Sequence, residues 1–386
     1  MTNNSTRRRF VISTGALGAA AIAGCVGDDE VQRAIGAATP QSGPLEPDGT
    51  AGIRGMEVAI EELTEELDEP IELQATDGEA APDRAVSVAR NMYDNNIPVI
   101  TGTFSSDVSN VLSDLAEDEE VPFITSISVD PEIINEDDEY TFRMTGDTTQ
   151  KLKGMAEFLE EEGVSGIAVI AADYSMGESS IEFFEERAEE YGMELVHSAE
   201  VPMETDNFVP EIGDLDTDEI DALFYPFPGG TAPTLISQTR EQGLFDEVDI
   251  VIGHDSYGTE TFYESLGDDL QDMYFWGVDL ENEQAQQANE RMQEMFDVRM
   301  DPLSLPYYDT IHLIAEVMGE QGSVDPQDIR NGLADIEYET ASGWDVRFDQ
   351  NGNNTEFQMI VGQWQEDDDG ELAPNVEYTS HVVSTE

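Results

Sequence analysis

The sequence is poor in cysteine, in positive charge and in long apolar stretches. Cys25 is the only cysteine among 386 residues, which excludes an intramolecular disulfide. Lysine and arginine together number 16 against 86 aspartates and glutamates, and Lys151 and Lys153 are the only lysines. So few basic residues leave no patch that could release counterions from phosphates. We therefore expect neither nucleic acid nor an anionic membrane surface as a partner.

The excess of acidic residues gives a formal net charge of −70, and this repulsion would push a compact chain apart in dilute buffer. At about 1 M salt the screening length falls to roughly 3 Å, so the repulsion becomes local. A disordered acidic chain could carry the same charge, but here 39% of the residues are hydrophobic and apolar segments recur regularly. The composition predicts a globular protein adapted to high salt, from a halophilic source.

The N-terminal segment has the features of an export signal. Arg7 and Arg8 are followed after one residue by Phe10, and the apolar residues 11–23 lie next to them. This apolar stretch is too short to span roughly 30 Å of hydrocarbon, which needs about 20 helical residues. The arginine pair resembles the twin-arginine export signal, which a receptor reads. The segment is therefore expected to be a removable leader.

The leader ends in small residues followed by the single cysteine. Residues 22–25, Ile-Ala-Gly-Cys, resemble the lipobox of bacterial and archaeal lipoproteins, in which the cysteine receives a lipid. A buried structural cysteine could fall anywhere, whereas Cys25 directly follows a pair of small residues at the end of an apolar run. We expect residues 1–24 to be a lipoprotein signal peptide and residues 25–30 a short tether. The protein would then be anchored through Cys25 on the extracellular face of the cell membrane.

After the leader, short apolar runs alternate with amphipathic helical segments as far as residue 252, with a restart after residues 140–144. Strands that alternate with helices predict βαβ units and parallel sheets, so the two halves predict an α/β protein with two lobes and a cleft. The helices are expected at 53–67, 83–93, 106–116, 150–161, 180–191, 234–242, 283–296, 309–319 and 326–333. A β-hairpin is expected from residues 344–348 and 357–364.

Ligands of open α/β sheets bind beyond the carboxyl ends of the strands. The segments just after the predicted strands are 40–50, 101–107, 126–130, 173–178, 226–231 and 254–257. Among them, Ser105, Ser106 and Asp107 place caps and free backbone N–H groups where a carboxylate would be held well. These residues could equally do no more than cap a helix, and the sequence leaves both possibilities open.

Several motifs in this order resemble one protein family over nearly all of the chain after the leader. The motifs lie at residues 37–44 (AATPQSGP), 52–60 (GIRGMEVAI), 97–102 (IPVITG), 121–126 (VPFITS), 140–143 (YTFR), 173–177 (DYSMG) and 346–352 (VRFDQNG). Together they are similar to the branched-chain amino-acid binding family of periplasmic-type solute receptors. Members of that family deliver solutes to the permease subunits of ABC importers.

The resemblance implies a type I periplasmic binding protein: two Rossmann-like lobes that are joined by three crossovers and close on a ligand between them. The crossovers are expected near residues 143–145, 275–277 and 342–344. The first lobe would comprise residues 31–144 plus 277–341, and the second lobe residues 145–276 plus 342–386.

The resemblance also implies which residues bind the ligand. Family members hold the ligand carboxylate with a first-lobe serine and backbone amides, and Ser106 occupies that place. The residues expected along the same wall are Thr103, Phe104, Ser105 and Ser128. The acidic residue that takes the ligand ammonium in amino-acid binders corresponds to Asp255, which would form strong charge-assisted hydrogen bonds in a closed cleft.

Other positions depart from the family pattern. A threonine that helps to hold the amino group is Val129 here, and an aromatic residue of the mouth loop is Asp48. A tyrosine of the second lobe is Met176, beside Asp173 and Tyr174, and an aromatic loop becomes Phe227 followed by Pro-Gly-Gly. The resemblance implies a branched-chain or other amino acid as the ligand, and these departures leave a short amide or a urea-type solute as the alternative.

Enzymatic functions find little support in the sequence. The four histidines are scattered without metal-ligand spacing, and the first βα turn lacks the Gly-rich fingerprint of dinucleotide enzymes. Residues 349–353 mimic part of a calcium loop but lack its terminal glutamate, so a turn is expected there. We expect no enzyme activity, cofactor or metal. A sensory protein that reports ligand occupancy to a signal transducer stays an alternative to import.

Overall fold

The computed structural model describes residues 33–43, 45–67, 69–228, 230–366 and 372–384. The predicted signal peptide, the tether and Cys25 lie outside these residues. Among the described residues, none of the helices combines the length and the apolar character needed to cross a membrane.

Strands and helices alternate through most of the described chain. The strands are β1 (Ala34–Thr39), β2 (Glu72–Asp77), β3 (Ile100–Thr101), β4 (Phe123–Thr125), β5 (Thr141–Arg143), β6 (Gly166–Ala172), β7 (Glu194–Val201), β8 (Ala222–Tyr225), β9 (Ile250–Gly253), β10 (Tyr274–Trp276), β11 (Glu337–Glu339), β12 (Asp345–Arg347), β13 (Gln358–Glu366) and β14 (Leu372–Val382). The helices are α1 (Glu46–Glu66), α2 (Pro82–Asp94), α3 (Ser106–Glu119), α4 (Thr148–Glu161), α5 (Ser175–Arg187), α6 (Val209–Gly213), α7 (Ala232–Glu241), α8 (Glu260–Leu266), α9 (Glu283–Phe296), α10 (Ser304–Gln321) and α11 (Pro326–Asp335).

These strands form two large sheets. The first has the order β2-β1-β3-β4-β5, and all its neighbouring strands are parallel. The second has the order β14-β13-β10-β9-β8-β6-β7, with parallel pairing from β7 to β10 and antiparallel pairing of β13 with both β10 and β14. We call each sheet with its packed helices the first and the second lobe.

The second sheet shows why the apolar runs become strands. All seven residues of β6 are buried, as expected for a central parallel strand whose two faces are both covered by helices. The preceding helix, α4, begins with a capping box. The Asp147 side chain accepts a hydrogen bond from the backbone N–H of Gln150 at 2.8 Å, and the Gln150 side chain accepts one from the Asp147 N–H at 3.0 Å. This cap fixes where α4 starts.

The chain passes between the lobes three times. It leaves the first sheet after β5 and the second sheet after β10, and α9 and α10 then pack against α1 of the first lobe. Gly55 permits that packing, since a Cβ atom there would lie only 1.9 Å from the carbonyl oxygen of Ser304. The third passage leads into β13. The exact residues at which each lobe begins and ends stay a prediction.

The first helix corrects one expectation about the mouth of the cleft. A loop over residues 40–50 was expected, but α1 begins at Glu46, with a proline in its first turn. Asp48 therefore lies in the first helical turn and not in a loop. Pro47 suits the first turn of a helix, and the acidic residues there interact favourably with the helix dipole, which outweighs the weak helix propensity of Gly49.

The predicted hairpin is wrong, although its turn is confirmed. The Asp349 side chain accepts hydrogen bonds from the N–H groups of Asn351 and Asn353, both at 2.9 Å. The two strands then diverge, because β12 pairs with β11 while β13 joins the second sheet between β10 and β14. No strand was expected at β14, and without that partner for β13 the local hairpin was the simplest pairing.

Candidate ligand-binding site

A cavity of about 70 Å³ lies between the first and second lobes, beyond the carboxyl ends of their strands. Its lining from the first lobe consists of Leu45, Phe104, Ser105, Ser106, Asp107, Ile127, Ser128 and Val129. Its lining from the second lobe consists of Tyr174, Ser175, Met176, Met203, Pro228, His254 and Asp255. Eight of these residues were expected from the sequence to bind the ligand: Phe104, Ser105, Ser106, Ser128, Val129, Tyr174, Met176 and Asp255.

On the first-lobe side the cavity is faced by what we call the hydroxyl wall: Ser105, Ser106 and Ser128. Ser106 is the first residue of α3, and no side chain caps that helix at Ser105. The Ser106 hydroxyl oxygen accepts a hydrogen bond from the Asp130 N–H at 3.3 Å, so its own proton can still be donated. Free N–H groups and the positive end of the helix dipole make this place suitable for a carboxylate.

A chain of hydroxyl groups supports this wall from behind. The Ser109 hydroxyl lies 2.6 Å from the Thr103 hydroxyl and donates to the Ser128 hydroxyl at 2.7 Å. Ser128 in turn donates to the carbonyl oxygen of Phe104 at 3.1 Å. Ser109 was not expected at the site. Its signal was its position four residues after Ser105, the residue that precedes α3, which places the two on the same side of the first helical turn. The chain fixes the orientation of Ser128 at the cavity surface.

On the second-lobe side lies what we call the charged cluster: Lys151, His254 and Asp255. The Lys151 ammonium lies 2.7 Å from one carboxylate oxygen of Asp255, and the Nδ1 atom of His254 lies 2.9 Å from the other. Lys151 and Asp255 are 4% and 8% exposed, so water screens the pair only weakly. Burial alone would raise the pKa of Asp255, but the attraction of Lys151 and the His254 hydrogen bond hold it below its ordinary value.

Lys151 was not expected at the site, although the sequence did single it out as one of two lysines. It lies on α4, and its ammonium also sits 5.3 Å from the ring centre of Trp276 in β10. A cation placed over an aromatic face gains further attraction. The structure therefore supplies both a carboxylate and a cation where the sequence analysis expected a carboxylate alone.

Asp48 lies next to the site but not in its lining. One of its carboxylate oxygens accepts a hydrogen bond from the Ser256 hydroxyl at 2.8 Å, which links α1 to the segment that follows β9. The other oxygen is buried and has no hydrogen-bond partner among the described residues. Burial, only partly opposed by Ser256 and His254, raises the pKa of Asp48 to about 6. The Asp48 carboxyl group thus lies where the two lobes touch.

Three more of the expected residues are placed outside the cavity lining. Thr103 is fully buried behind the hydroxyl wall. Asp173 is exposed, and its carboxylate accepts a hydrogen bond from the Met203 N–H at 2.9 Å. Phe227 is fully buried and packs edge to face against Phe208, with ring centres 5.2 Å apart. Phe227 turns inward because the chain beyond β8 runs over an apolar core, which excludes the ring from water.

Among the described residues, no group of three or more histidine, cysteine, aspartate or glutamate side chains is arranged to hold a metal ion. The site instead combines hydroxyl groups, a helix N-terminus, an internal ion pair and an apolar surface. This arrangement can hold a small solute by a polar group at one end and an apolar body beside it.

The chain is similar to known binding proteins over almost all of its described length. The sequence profile of the periplasmic binding protein family matches residues 33–371. Leu/Ile/Val-binding protein homolog 7 of Brucella suis is 26% identical over 363 residues, which cover 88% of this chain and 90% of that protein. The leucine-specific-binding protein of Salmonella typhimurium is 23% identical over 380 residues, which cover 95% and 99% of the two chains.

Solved structures share the fold. A solute binding protein of an ABC transporter from Rhodopseudomonas palustris, in complex with 3,4-dihydroxybenzoic acid, superposes with a TM-score of 0.80 at 20% identity and covers 92% of this chain and 99% of its own. The branched-chain amino acid transporter substrate binding protein of Streptococcus pneumoniae, in complex with isoleucine, has a TM-score of 0.76 at 20% identity and covers 90% and 99%. The expected type I fold is confirmed, and the chain belongs to the periplasmic binding protein family.

Proposed function

We propose that this protein is an extracytoplasmic receptor that captures a small carboxylate-bearing solute in the cleft and delivers it to an ABC importer. The observation that carries the proposal is the hydroxyl wall, which presents Ser106 and the N-terminus of α3 to a cavity closed on its other side by the second lobe. A helix N-terminus with a hydroxyl donor holds a carboxylate better than it holds a neutral group.

Two classes of ligand satisfy this requirement. The curated relatives are named for leucine, isoleucine and valine, which supports the amino acid expected from the sequence. A structural neighbour is bound to 3,4-dihydroxybenzoic acid, a carboxylate without an amino group. A short amide or a urea-type solute lacks the carboxylate and would gain less from the end of α3.

Capture is proposed to occur by closure of the two lobes. The hydrogen bond from Ser256 to Asp48 joins positions 208 residues apart in the chain and would form as the cleft closes. Closure removes water from the ligand and strengthens each polar contact with it. We propose binding without chemical conversion, because the relatives of this chain are named as binding proteins.

The ligand proposal is tested with Ser106→Ala, with Ser113→Ala as a matched control on the same helix. Ser113 is also buried, but its hydroxyl bonds Thr141, away from the cavity. Calorimetric titration in high salt would use L-leucine, 4-hydroxybenzoate, acetamide and urea. Ser106→Ala should weaken a bound carboxylate by about 1–3 kcal/mol, or roughly 5- to 150-fold, and Ser113→Ala should leave it unchanged. Equal binding by the parent and Ser106→Ala would contradict this placement of the site.

Export and anchoring are proposed from the leader. Cys25→Ser should release the protein into the medium, because one or two acyl chains supply most of the membrane affinity of a lipoprotein. Replacing Arg7 and Arg8 by lysine should retain the precursor in the cell. If the Cys25→Ser protein stays with the membrane fraction, the lipid anchor is wrong. If the lysine variant is secreted as before, the twin-arginine route is wrong.

A further inference from the structure

We propose that the cleft selects a monocarboxylate that carries no ammonium group, because Lys151 already occupies the acidic residue that would receive an ammonium. The proposal rests on the proposed function and narrows its ligand class. It follows from two distances: 2.7 Å from the Lys151 nitrogen to one oxygen of Asp255, and 2.9 Å from His254 Nδ1 to the other.

Each oxygen of Asp255 keeps a second lone pair, so geometry alone would still admit another donor. Electrostatic repulsion determines whether a ligand ammonium can bind Asp255. The Lys151 ammonium compensates the single negative charge of Asp255, and an ammonium that approached the same carboxylate would lie within a few ångström of a second cation. In a buried site with little water, this repulsion is only weakly screened.

The remaining acidic groups near the cavity do not replace Asp255. Asp48 binds Ser256 through one oxygen, and although its other oxygen has no hydrogen-bond partner among the described residues, Asp48 is not part of the cavity lining. Asp107 belongs to the lining, but it is exposed, so solvent screens its charge. The sequence thus contains acids in excess, yet none of these three offers a buried, uncompensated carboxylate inside the cavity.

The rest of the lining suits the body of an amine-free acid. Seven apolar side chains surround the space beside the hydroxyl wall: Leu45, Phe104, Ile127, Val129, Met176, Met203 and Pro228. Val129 stands where family members use a threonine for the amino group, and its side chain can form no hydrogen bond. Val129 cannot receive an ammonium and Asp255 is already paired with Lys151, while the carboxylate partner, Ser106 at the start of α3, is retained.

The test uses two pairs of ligands that differ only in the ammonium group: 4-methylpentanoate with L-leucine, and 4-hydroxyphenylacetate with 4-hydroxyphenylglycine. Calorimetric titration of the purified full chain in high salt measures all four dissociation constants. We expect the acid of at least one pair to bind tenfold or more tightly than its amino counterpart.

Three variants assign the preference to the ion pair. Lys151→Met frees Asp255 and should shift the ratio within that pair at least tenfold toward the amino acid. Lys153→Met removes the other lysine, which is more exposed on the same helix, and should leave the ratio unchanged. The double variant Lys151→Met with Asp255→Leu removes both charges, so it should fold even where Lys151→Met does not, and should keep the preference for the acid. Melting curves report whether each variant is folded.

The outcomes separate this inference from the function on which it rests. Tighter binding of the amino acids by the parent protein, or an unchanged ratio in folded Lys151→Met, overturns the inference and leaves a solute receptor in place. Binding of none of the four ligands also overturns it. If the broader panel used for Ser106→Ala then shows no binding either, the proposed function fails with it.

Discussion

On the first-lobe side of the cavity, Ser105, Ser106 and Ser128 present hydroxyl groups and backbone N–H groups and carry no formal charge. On the second-lobe side, Lys151 and Asp255 carry opposite formal charges that are compensated within the protein. The hydroxyl wall keeps the Ser106 proton and the first N–H groups of α3 available to a ligand, whereas Lys151 and Asp255 bind each other. The number of charged groups at a site therefore does not measure how many of them are available to a ligand.

The largest expected effect concerns the stability of the charged cluster. Asp255→Leu should lower the free energy of unfolding by about 3–5 kcal/mol, because it leaves the Lys151 ammonium buried without its partner. The double variant Lys151→Met with Asp255→Leu should recover most of that loss. Denaturant titration in high salt measures both variants. A double variant as unstable as the single one would show that the two residues do not act as a pair.

A smaller effect is expected from the buried carboxylate in the contact between the lobes. Burial raises the pKa of Asp48 from 3.8 to about 6, so this carboxyl contributes stability at low pH and loses it as the pH rises through about 6. Between pH 7 and about 4, the parent protein should therefore gain up to about 3 kcal/mol relative to Asp48→Asn, which cannot titrate. Denaturant titrations across this window check the difference. Parallel pH profiles for the two proteins would contradict a raised pKa.

A substitution behind the hydroxyl wall should lower the free energy of unfolding less than a substitution in the charged cluster. Ser109→Ala removes the hydroxyl between Thr103 and Ser128, and we expect a loss of about 1 kcal/mol, the usual net value of a neutral hydrogen bond. Ser128 keeps its bond to the Phe104 carbonyl, which limits the damage. Thermal and denaturant unfolding measure the loss. A loss as large as that of Asp255→Leu would contradict the expected difference in stability between the hydroxyl wall and the charged cluster.

The smallest expected effect is that of salt on the stability lost in Asp255→Leu, which should hardly change. Raising KCl toward and above about 1 M should stabilise the parent protein, because salt screens the repulsion among exposed carboxylates. The loss caused by Asp255→Leu should stay the same within about 0.5 kcal/mol, since ions screen a buried pair far less. Unfolding titrations of both proteins at several KCl concentrations give the comparison. A loss that shrinks steadily with salt would place the pair in contact with solvent.

Much of the fold could be predicted from local features of the chain. The alternation of apolar runs with amphipathic helices predicted two α/β halves, because a period near 3.6 and a continuous apolar run are properties of short segments. The start of α3 near Ser106 was predicted in the same way. The start of α1 was missed, since Gly49 and Gly52 weaken the local helix signal. The strand β14 was also missed, although it pairs with the preceding strand β13 and places Leu372 opposite Glu366. Pro374 and Asn375 are residues disfavoured in strands, and they weaken its local strand signal.

Most of the residues that line the candidate site were expected from the sequence, but the ion pair of Lys151 with Asp255 was not. Ser106 and Asp255 could be placed because each follows a predicted strand, and parallel strands bring their carboxyl ends to one edge. Phe227 satisfies the same rule, yet the structure packs it against Phe208 outside the cavity lining. Position after a strand therefore identifies the edge at which a residue lies but not the direction in which its side chain points.

The class of the fold, the acid-rich composition and a helix that starts at Ser106 could be predicted, because these depend on composition and on neighbours a few residues apart. The contact of Lys151 with Asp255, 104 residues further along the chain, and the contact of Asp48 with Ser256 across the lobes are visible only in the folded protein. Such contacts depend on how α4 and α1 pack against the end of β9. That packing is set by the shapes of all the buried side chains together, so no single stretch of sequence contains it.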